Sequence, residues 1–583
     1  MSSAVENNSR LIKKYKLNGK LTSVTFDVIF LFVSPVGGNR IYQLKQWIQP
    51  LQRLSKVTSL AVVTDNQAAA DCAKEAGLVV KQYPSAEASV SLFGELEPKV
   101  ILYPRKGYDS QLHTWYPNVF HVFIGHGESD KAYTADNHMR YFDYIFLAGE
   151  MGNQRLIENL YDYPTKHRSV LTGRPQLLDK LPKPPKEFVK NPKKKTILFT
   201  PTSDFLTPIN QYGTIASHGV TLMETLLAAG DEYQVIYKPH PLMGSKIPEN
   251  LAAHKRVLEM LESANSDHYY DTSPFGWQLD YADIMITDIS AVSYDWLATG
   301  KPLVITKPNN PKAWIYKTGM LGAFDLLEPH EVPDILKRLE FESNDPATKA
   351  SHESWRKRYY SDPVDDKGKE LFIKDTLGLV KDWKKTFGSK PKVEAVLTKQ
   401  SKSTVPIASP VVVKLPLKVR AFDLLKKFVY LALSVKAVSE QKLVYHFSGR
   451  PLKFAGLPAP AKDEKLALLI GSFSVLAATL KKTMLDSSLR GKYRIVFAPS
   501  GSPVRRILDR ANVKEIFYTS HLRDNDFGLR NSKSKHVLLL DSLGAADTID
   551  HNLVCYHEIV VTDKARAKQI ESTVFKPEGW NFS

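Results

Sequence analysis

Short apolar runs rich in β-branched residues alternate with helical patterns between residues 26 and 178. The runs predict strands, and apolar positions spaced by three and four residues predict amphipathic helices. Alternation of the two indicates a parallel sheet with helices on both faces. The predicted strands are residues 27–33, 60–64, 99–103, 119–124 and 144–147, and the clearest predicted helices are residues 40–54 and 67–76.

The same alternation starts again after a linker rich in lysine and proline at residues 179–195. We therefore predict the α/β class, with two doubly wound, Rossmann-like domains at residues 26–178 and 196–380 that face a cleft. Residues 352–387 are predicted to be helical and to pack back across the lobes. In the second domain, the predicted strands are residues 196–200, 234–238, 284–287 and 302–306, and the predicted helices are residues 220–229, 251–264 and 293–299.

Three further segments complete the predicted organisation: a basic arm at residues 1–25, a basic linker at 381–415 and a C-terminal domain at 416–583. Aligning residues 99–154 with 514–569 without a gap pairs His121 with His536. This match predicts that the C-terminal domain is a partial repeat of the first.

The predicted repeat lacks the chemistry of the first domain. Its counterparts of positions 126 and 131 are Asp541 and Ala546, whereas the first domain has His126 and Lys131. We therefore expect the repeat to be non-catalytic and to contact polymer or membrane, or to mediate association.

The net charge narrows the class of partner. The chain has 79 lysine and arginine residues against 62 acidic ones, a net charge of +17. Such an excess favours an anionic partner: a nucleic acid, an acidic membrane surface or a phosphate-rich polymer. Because the basic residues concentrate in linkers and form no recognisable nucleic-acid module, we do not expect nucleic-acid binding.

The cysteines and the apolar runs bear on compartment and membrane contact. Cys72 and Cys555 form neither a disulfide framework nor a zinc pattern, which favours a reducing compartment. Residues 1–20 lack the apolar core of a signal peptide. No run reaches the roughly 18 apolar residues that span a bilayer, so we expect peripheral contact. Residues 417–436 predict an amphipathic helix, either lying on an anionic membrane or facing a protein core.

A glycine-flanked histidine follows a predicted strand of the first domain. In the sequence Gly125-His126-Gly127, the glycines allow backbone amides to approach a ligand, and a histidine at this point can act as a general base. A structural role for this histidine stays open. The loop continues with Glu128, Ser129, Asp130 and Lys131.

Three loops of the second domain carry groups suited to phosphate. Pro201-Thr202 follows the first strand, and Lys238-Pro239-His240 offers two groups that neutralise phosphate oxygens. The third loop has Ser290 at the predicted start of a helix, where hydroxyls and free amides bind anions. The other interpretation of this loop is that Asp288 and Ser290 only cap the helix.

Together these loops resemble the CDP-glycerol glycerophosphotransferase family, whose members build teichoic acids and related capsule polymers. The resemblance covers roughly residues 95–330. The matching positions are His126, Gly127 and Lys131, the Thr-Gly-x-Pro turn Thr172 to Pro175, Pro201-Thr202, Lys238 to Pro241, Thr287 to Asp295 and Gly300 to Pro302.

Three departures from the family pattern leave the polyol open: glycerol, ribitol or another polyol. The family usually has Thr-Pro-Leu at positions 128–130, where this chain has Glu128-Ser129-Asp130. Two carboxylates beside a phosphate donor would be repulsive unless they bind polyol hydroxyls. Gln176 stands where an arginine is usual, although Arg174 is nearby, and Ala291 replaces the second serine of a Ser-Ser pair.

The resemblance implies a GT-B fold with an acceptor-side first domain and a nucleotide-donor-binding second domain. It implies that His126 and His240 are catalytic, with His126 as the base when an acceptor hydroxyl attacks the β-phosphorus and CMP leaves. The implied donor-binding residues are Gly127, Glu128, Ser129, Asp130, Lys131, Arg174, Pro201, Thr202, Lys238, Pro239, Thr287, Asp288, Ser290, Ala291 and Asp295.

The reaction predicted in this way needs no metal and no cofactor besides the CDP-glycerol or CDP-ribitol donor. The expected partners are a polyol-phosphate polymer or lipid-linked acceptor and an anionic membrane surface, at the cytoplasmic face of the membrane. Two other readings stay open: a nucleotide-sugar glycosyltransferase or epimerase on the same fold, and a non-catalytic protein that binds anionic polymer or membrane.

Overall fold

In a computed structural model, the described residues are 16–17, 20–21, 25–33, 40–84, 86–107, 110, 112–116, 118–264, 266–360, 366–388, 444–445, 465–471, 493–499, 515–518, 534–539 and 558–560. The predicted helix at 417–436, most of the predicted arm, most of the predicted linker at 381–415, and the positions of Asp541, Ala546 and Cys555 lie outside them. What the sequence predicts for those positions stays a prediction.

The first lobe is built on a sheet of seven strands. They are β1 (Val28–Phe32), β2 (Leu60–Thr64), β3 (Val80–Gln82), β4 (Val100–Tyr103), β5 (Phe120–Phe123), β6 (Tyr144–Leu147) and β7 (Ser169–Leu171). Their spatial order is β3-β2-β1-β4-β5-β6-β7, and all neighbours are parallel. Every residue of β1 and β2 is buried, as in a sheet covered on both faces.

The strand order reverses between β1 and β4, and in this architecture the carboxyl ends of the strands there form the ligand crevice. Helices cover both faces of the sheet. They are α1 (Ile41–Lys45), α2 (Ile48–Leu54), α3 (Gln67–Glu75), α4 (Ala86–Leu96), α5 (Glu150–Asn159) and α6 (Thr165–Arg168), with 3₁₀ turns at Leu112–Trp115, Ala132–Ala135, Asn137–Tyr141 and Pro175–Leu178.

The single helix predicted at residues 40–54 is wrong, because the segment forms α1 and α2 with a break at Gln46 and Trp47. Pro50 explains the break. It has no backbone N–H to donate four residues back and is tolerated only in the first turn of a helix. The helix therefore restarts at Ile48, and α1 is left as a short element over the crevice.

The second lobe has its own doubly wound sheet. Its strands are β8 (Lys195–Thr200), β9 (Tyr233–Tyr237), β10 (Tyr269–Tyr270), β11 (Ile284–Thr287) and β12 (Leu303–Ile305). The spatial order is β10-β9-β8-β11-β12, again with parallel neighbours throughout. The order reverses between β8 and β11, so this lobe too has a crevice at its carboxyl edge. The predicted α/β fold with two doubly wound lobes is confirmed.

The helices of the second lobe place its loops at that edge. They are α7 (Val220–Ala228), α8 (Pro248–Ala264), α9 (Gln278–Tyr281), α10 (Ala291–Leu297), α11 (Met320–Ala323) and α12 (Ile335–Asn344), with a π-helical turn at Ile215–Gly219 and 3₁₀ turns at Pro208–Asn210 and Pro329–Asp334.

Two long helices return the chain across the lobes, as the pattern predicts. Helix α13 (Pro346–Tyr360) packs Tyr359 and Tyr360 into the core of the second lobe. Helix α14 (Asp366–Phe387) packs Phe372 into the core of the first lobe. It runs seven residues beyond residue 380, because Trp383 and Phe387 are also held in that core.

Six strands of the C-terminal part form a third parallel sheet. They are β13 (Val444–Tyr445), β14 (Lys465–Gly471), β15 (Tyr493–Pro499), β16 (Glu515–Tyr518), β17 (Lys535–Leu539) and β18 (Glu558–Val560). The spatial order is β13-β15-β14-β16-β17-β18.

One side-chain pair recurs in the first and third sheets. The hydroxyl of Tyr103 lies 2.7 Å from Nδ1 of His121, and that of Tyr518 lies 2.8 Å from Nδ1 of His536. The strand register also agrees, since His121 is opposite Ile101 and His536 is opposite Ile516. The repeat as a whole stays a prediction, because much of residues 416–583 lies outside the described residues.

Among the helices in the described part of the chain, none combines the length and apolar character needed to cross a bilayer.

Candidate active site

His126 stands in the loop that follows β5 and is held at both ring nitrogens. Gly125 precedes it with φ +62°, a left-handed conformation that favours glycine. Nδ1 of His126 is 2.8 Å from the carbonyl oxygen of Pro104, and Nε2 is 3.1 Å from Nε2 of Gln43. A carbonyl oxygen only accepts, so Nδ1 carries the proton and the bare Nε2 accepts from the Gln43 amide.

The surroundings keep this imidazole neutral. Burial is the largest cause that lowers the pKa of His126 to about 4, against the opposing hydrogen bond to Pro104. The charges of Arg105, Arg174 and Arg40 lower the pKa further. At neutral pH the ring is therefore unprotonated at Nε2, the state that a general base requires.

His240 of the second lobe has the opposite tautomer. Its Nδ1 accepts from the backbone N–H of Leu242 at 3.0 Å, so the proton of the neutral ring lies on Nε2. Burial, with Lys131 and Arg40, lowers the pKa of His240 to about 4. The His240 backbone N–H donates to the Pro201 carbonyl at 3.0 Å. The site thus offers one bare imidazole nitrogen and one imidazole N–H donor.

Helix α1 connects the two histidines. Gln43 contacts His126, and the neighbouring Tyr42 packs its ring edge-on against His240, with ring centroids 6.3 Å apart. The Gln43 amide also lies 3.4 Å from the Tyr42 hydroxyl. The crevices of the two lobes therefore face each other across this helix. No sequence motif marks either residue.

The lobes also meet where the histidine loop touches the start of α10. A Cβ on Gly127 would stand 3.1 Å from that of Ala291, so only a glycine fits without displacement. Arg174 spans the same junction, with its Nε 2.7 Å from Oδ1 of Asp295 in a buried ion pair. Ser290 is the N-cap residue of α10, but its hydroxyl makes no capping bond. The first turn of α10 thus opens toward the histidine loop.

Asp288 binds the loops of the second lobe together. It accepts hydrogen bonds from the backbone N–H of Thr202 at 2.7 Å and from the hydroxyl of Thr306 at 2.7 Å. Thr214 donates to the same carboxylate. Thr287, just before it, bonds the carbonyl of Thr200. These contacts fix the Pro201-Thr202 loop beside His240.

The two lysines of the site have different surroundings. Burial lowers the pKa of Lys131 to about 8, opposed by Asp288, and its Nζ lies 5.2 Å from the ring centroid of Tyr212. Lys131 therefore reaches from the first lobe into the second. Lys238, beside Pro239, is bonded to the Ser273 carbonyl and lies 3.3 Å from Oδ2 of Asp271. Burial lowers its pKa as well.

The carboxylates that depart from the family pattern already have protein partners. Arg155 of α5 binds both Glu128 and Asp130, and Tyr359 of α13 donates to Asp130. Ser129 between them is fully buried, and its hydroxyl accepts from the backbone N–H of Lys131. This arrangement ties the histidine loop to α5 and α13. Binding of polyol hydroxyls by these carboxylates stays a prediction.

The structure thus brings together, at the facing carboxyl edges, most of the residues that the sequence singles out. The Glu128–Asp130 segment turns inward, toward Arg155. Within the described residues, no group of three or more histidine, cysteine or carboxylate side chains is placed to hold a metal ion.

Comparison with known proteins gives a family match for the central part of the chain. Residues 124–324 match the model of the family described as CDP-glycerol:poly(glycerophosphate) glycerophosphotransferase. This segment contains the histidine loop and every second-lobe loop described above. The resemblance drawn from the loops is confirmed over these residues. A search of curated proteins gives no match.

Solved structures give distant similarities. The wall teichoic acid polymerase TagF is 13% identical, with 61% of this chain and 89% of that chain covered and a TM-score of 0.41. MnaA of S. aureus with UDP is also 13% identical, with coverage of 63% and 98% and a TM-score of 0.42. A glycosyltransferase from Rickettsia africae is 12% identical, with coverage of 62% and 98% and a TM-score of 0.38.

Proposed function

We propose that this chain, a CDP-glycerol glycerophosphotransferase-type enzyme by its match over residues 124–324, transfers glycerol phosphate or ribitol phosphate from a CDP-polyol to a polymer in teichoic acid synthesis. The observation that carries the proposal is the pair of histidines at the facing crevices. His126 has a bare Nε2, and His240 has an Nε2–H donor. One suits proton removal from an acceptor, and the other suits donation to a phosphate oxygen.

The reaction follows from this assignment. An acceptor hydroxyl attacks the β-phosphorus of the CDP-polyol while His126 takes its proton at Nε2. The new P–O bond forms as the bond to CMP breaks, and the electron pair leaves with the CMP phosphate. His240, Lys131 and the first turn of α10 stabilise the developing charge, since phosphoryl transfer depends mainly on positioning and electrostatics.

The charge of the donor matters for the base. Arg105, Arg174 and Arg40 contribute to the lowered pKa of His126. A bound pyrophosphate brings negative charge, which counters the arginines and raises the pKa of His126 toward its ordinary value. The base therefore becomes stronger when the donor is bound.

We extend the proposal to the surroundings of the reaction. The acceptor is a polyol-phosphate chain or a lipid-linked primer, and no cofactor besides the donor takes part. The net charge of +17 supports association with an anionic membrane at its cytoplasmic face. Capsule-like polymers fit the same chemistry.

The test is CMP release from CDP-glycerol and from CDP-ribitol, with UDP-sugars alongside and a polyol-phosphate oligomer as acceptor. Acceptor-dependent release of CMP from one CDP-polyol is the expected result and names the unit. Release of UDP from a sugar donor, with both CDP-polyols inert, contradicts the proposal and assigns the chain to the sugar transferases.

A further inference from the structure

Gln43 is buried in the crevice, and its side-chain amide forms hydrogen bonds to described residues through the nitrogen but not through the oxygen. Gln43 is 2% exposed, yet Oε1 has no hydrogen-bond partner among the residues that the structure describes. The amide nitrogen is fully engaged, with one contact to His126 Nε2 at 3.1 Å and one to the Tyr42 hydroxyl at 3.4 Å. A buried acceptor without a donor is unfavourable and calls for an explanation, such as a ligand, an ion or a water that donates to it.

The orientation of the amide is fixed by the histidine. Because Nδ1 of His126 donates to Pro104, Nε2 has only a lone pair and needs a donor opposite it. Gln43 supplies that donor only with its nitrogen toward the ring. Its Oε1 must then point away from the ring, where no described residue donates to it.

The same geometry marks the place of the attacking group. A lone pair on His126 Nε2 cannot accept the Gln43 N–H and a substrate proton at once. The incoming hydroxyl must therefore displace the Gln43 N–H, which stands at hydrogen-bond distance from Nε2. A polyol carries a second hydroxyl on the neighbouring carbon, and that hydroxyl is a donor for Oε1 of the displaced amide.

We propose that Gln43 is the positioning and acceptor-recognition residue of the site: its N–H occupies the place of the attacking hydroxyl in the free enzyme, and its Oε1 accepts a hydrogen bond from the adjacent hydroxyl of the polyol. The proposal rests on the proposed function for the identity of the acceptor. The coupling of Gln43 to His126 stands on the geometry alone.

Two substitutions separate the functions of the amide. Gln43→Leu removes both the donor and the acceptor, so the KM for the acceptor oligomer should rise about three- to tenfold while the KM for the CDP-polyol stays unchanged. Gln43→Glu keeps the shape and Oε1 but places a carboxylate opposite Nε2. That charge stabilises imidazolium, so the rising limb of the pH profile of kcat/KM should move up by one unit or more.

The charged groups that face His126 are Arg40, Arg105 and Arg174, and all three stay in place in both variants. Gln49→Glu is the matched control, because it makes the same change on α2, where the side chain bonds the Lys180 carbonyl away from the histidine. Kinetic constants and pH profile should match those of the wild type in this control. Melting curves of each variant identify any that fails to fold.

A second readout does not need turnover. In protein labelled with ¹⁵N-histidine, the His126 signal is assigned with His126→Asn and titrated with pH. Gln43→Glu should raise the pKa of His126, and glycerol 3-phosphate oligomer should shift the His126 signal at a concentration about three- to tenfold lower in the wild type than in Gln43→Leu. These results would support the role of Gln43 even if no CDP-polyol proved to be a donor.

The proposal is overturned if both Gln43 variants keep the wild-type acceptor KM and pH profile, or if the oligomer shifts the His126 signal equally in the wild type and in Gln43→Leu. A different result separates the two proposals. If the wild type releases no CMP but the oligomer still shifts its His126 signal more readily than that of Gln43→Leu, only the proposed donor is contradicted.

Discussion

Replacing Arg155 tests whether the two carboxylates of the histidine loop are structural. Arg155 is almost fully buried and binds Glu128 and Asp130, which are also buried. Arg155→Met keeps the length of the side chain but leaves two buried carboxylates without their cation. Removing one partner from a buried ion pair costs about 3–5 kcal/mol of unfolding free energy.

The loss of unfolding free energy in Arg155→Met should depend on pH and be larger at neutral than at acidic pH. Burial, the largest cause, raises the pKa of Asp130, and Arg155 opposes that shift. Without Arg155 the pKa rises further. An acid whose pKa is raised by folding contributes to the stability of the protein fully at pH values below its pKa in the unfolded chain. That contribution is lost as the pH rises through its pKa in the folded protein. The loss of unfolding free energy in Arg155→Met, relative to the wild type, should therefore become smaller as the pH is lowered from about 7.5 to 5.

Urea unfolding followed by tryptophan fluorescence at both pH values gives the magnitude. The triple variant Arg155→Met, Glu128→Gln, Asp130→Asn removes the charges together and should recover most of the stability. Arg256→Met is the control, because that arginine forms an ion pair on the surface, where such pairs contribute little. A deficit below about 1 kcal/mol for Arg155→Met, or one that grows on acidification, would refute the reasoning.

Three further changes bear on the site itself. His126→Gln should lower kcat for CMP release by about 10²–10⁴, because the base is lost while the hydrogen bond to Pro104 can be kept, and unchanged turnover would reject His126 as the base. The profile of kcat/KM with pH should rise through about pH 4, as His126 loses its proton, and fall through about pH 8, as Lys131 becomes neutral. Lys131→Met should remove the fall at high pH. If that fall stayed unaltered, Lys131 would be excluded as the group that causes it. Gly127→Val should lower activity with little change in melting temperature, since the new side chain meets Ala291 between the lobes, and a fully active variant would show that the two loops separate freely.

The strands were predictable because buried strands leave a strong local signal. The strand at 60–64 lies at the predicted residues, and the one at 144–147 does too, because continuous apolar runs between polar loops leave little choice of boundary. The polar loops at their carboxyl ends were predictable because each loop begins where an apolar run ends. Their closeness in space was predictable as well, because a parallel sheet brings together loops that are far apart in sequence.

The pairing of side chains across the crevice could not be predicted. Arg155 lies 25 residues beyond Asp130, on a helix with no motif, so the sequence favoured a substrate role for Glu128 and Asp130. Gln43 was missed because a glutamine in a short helix has no signature of its own, and Pro50 made that helix shorter than the pattern indicated. Such partners depend on how the lobes pack, which local periodicity does not encode.

In the proposed reaction a whole polyol phosphate is transferred, through attack on the β-phosphorus. The most direct measurement uses CDP-polyol with ³²P in the β-phosphate and ¹⁴C in the polyol, incubated with the protein and a polyol-phosphate oligomer. Both labels should enter the polymer in equal molar amounts, and His126→Gln should abolish both. Incorporation of carbon without phosphorus, or incorporation that is indifferent to His126, would contradict the proposed reaction.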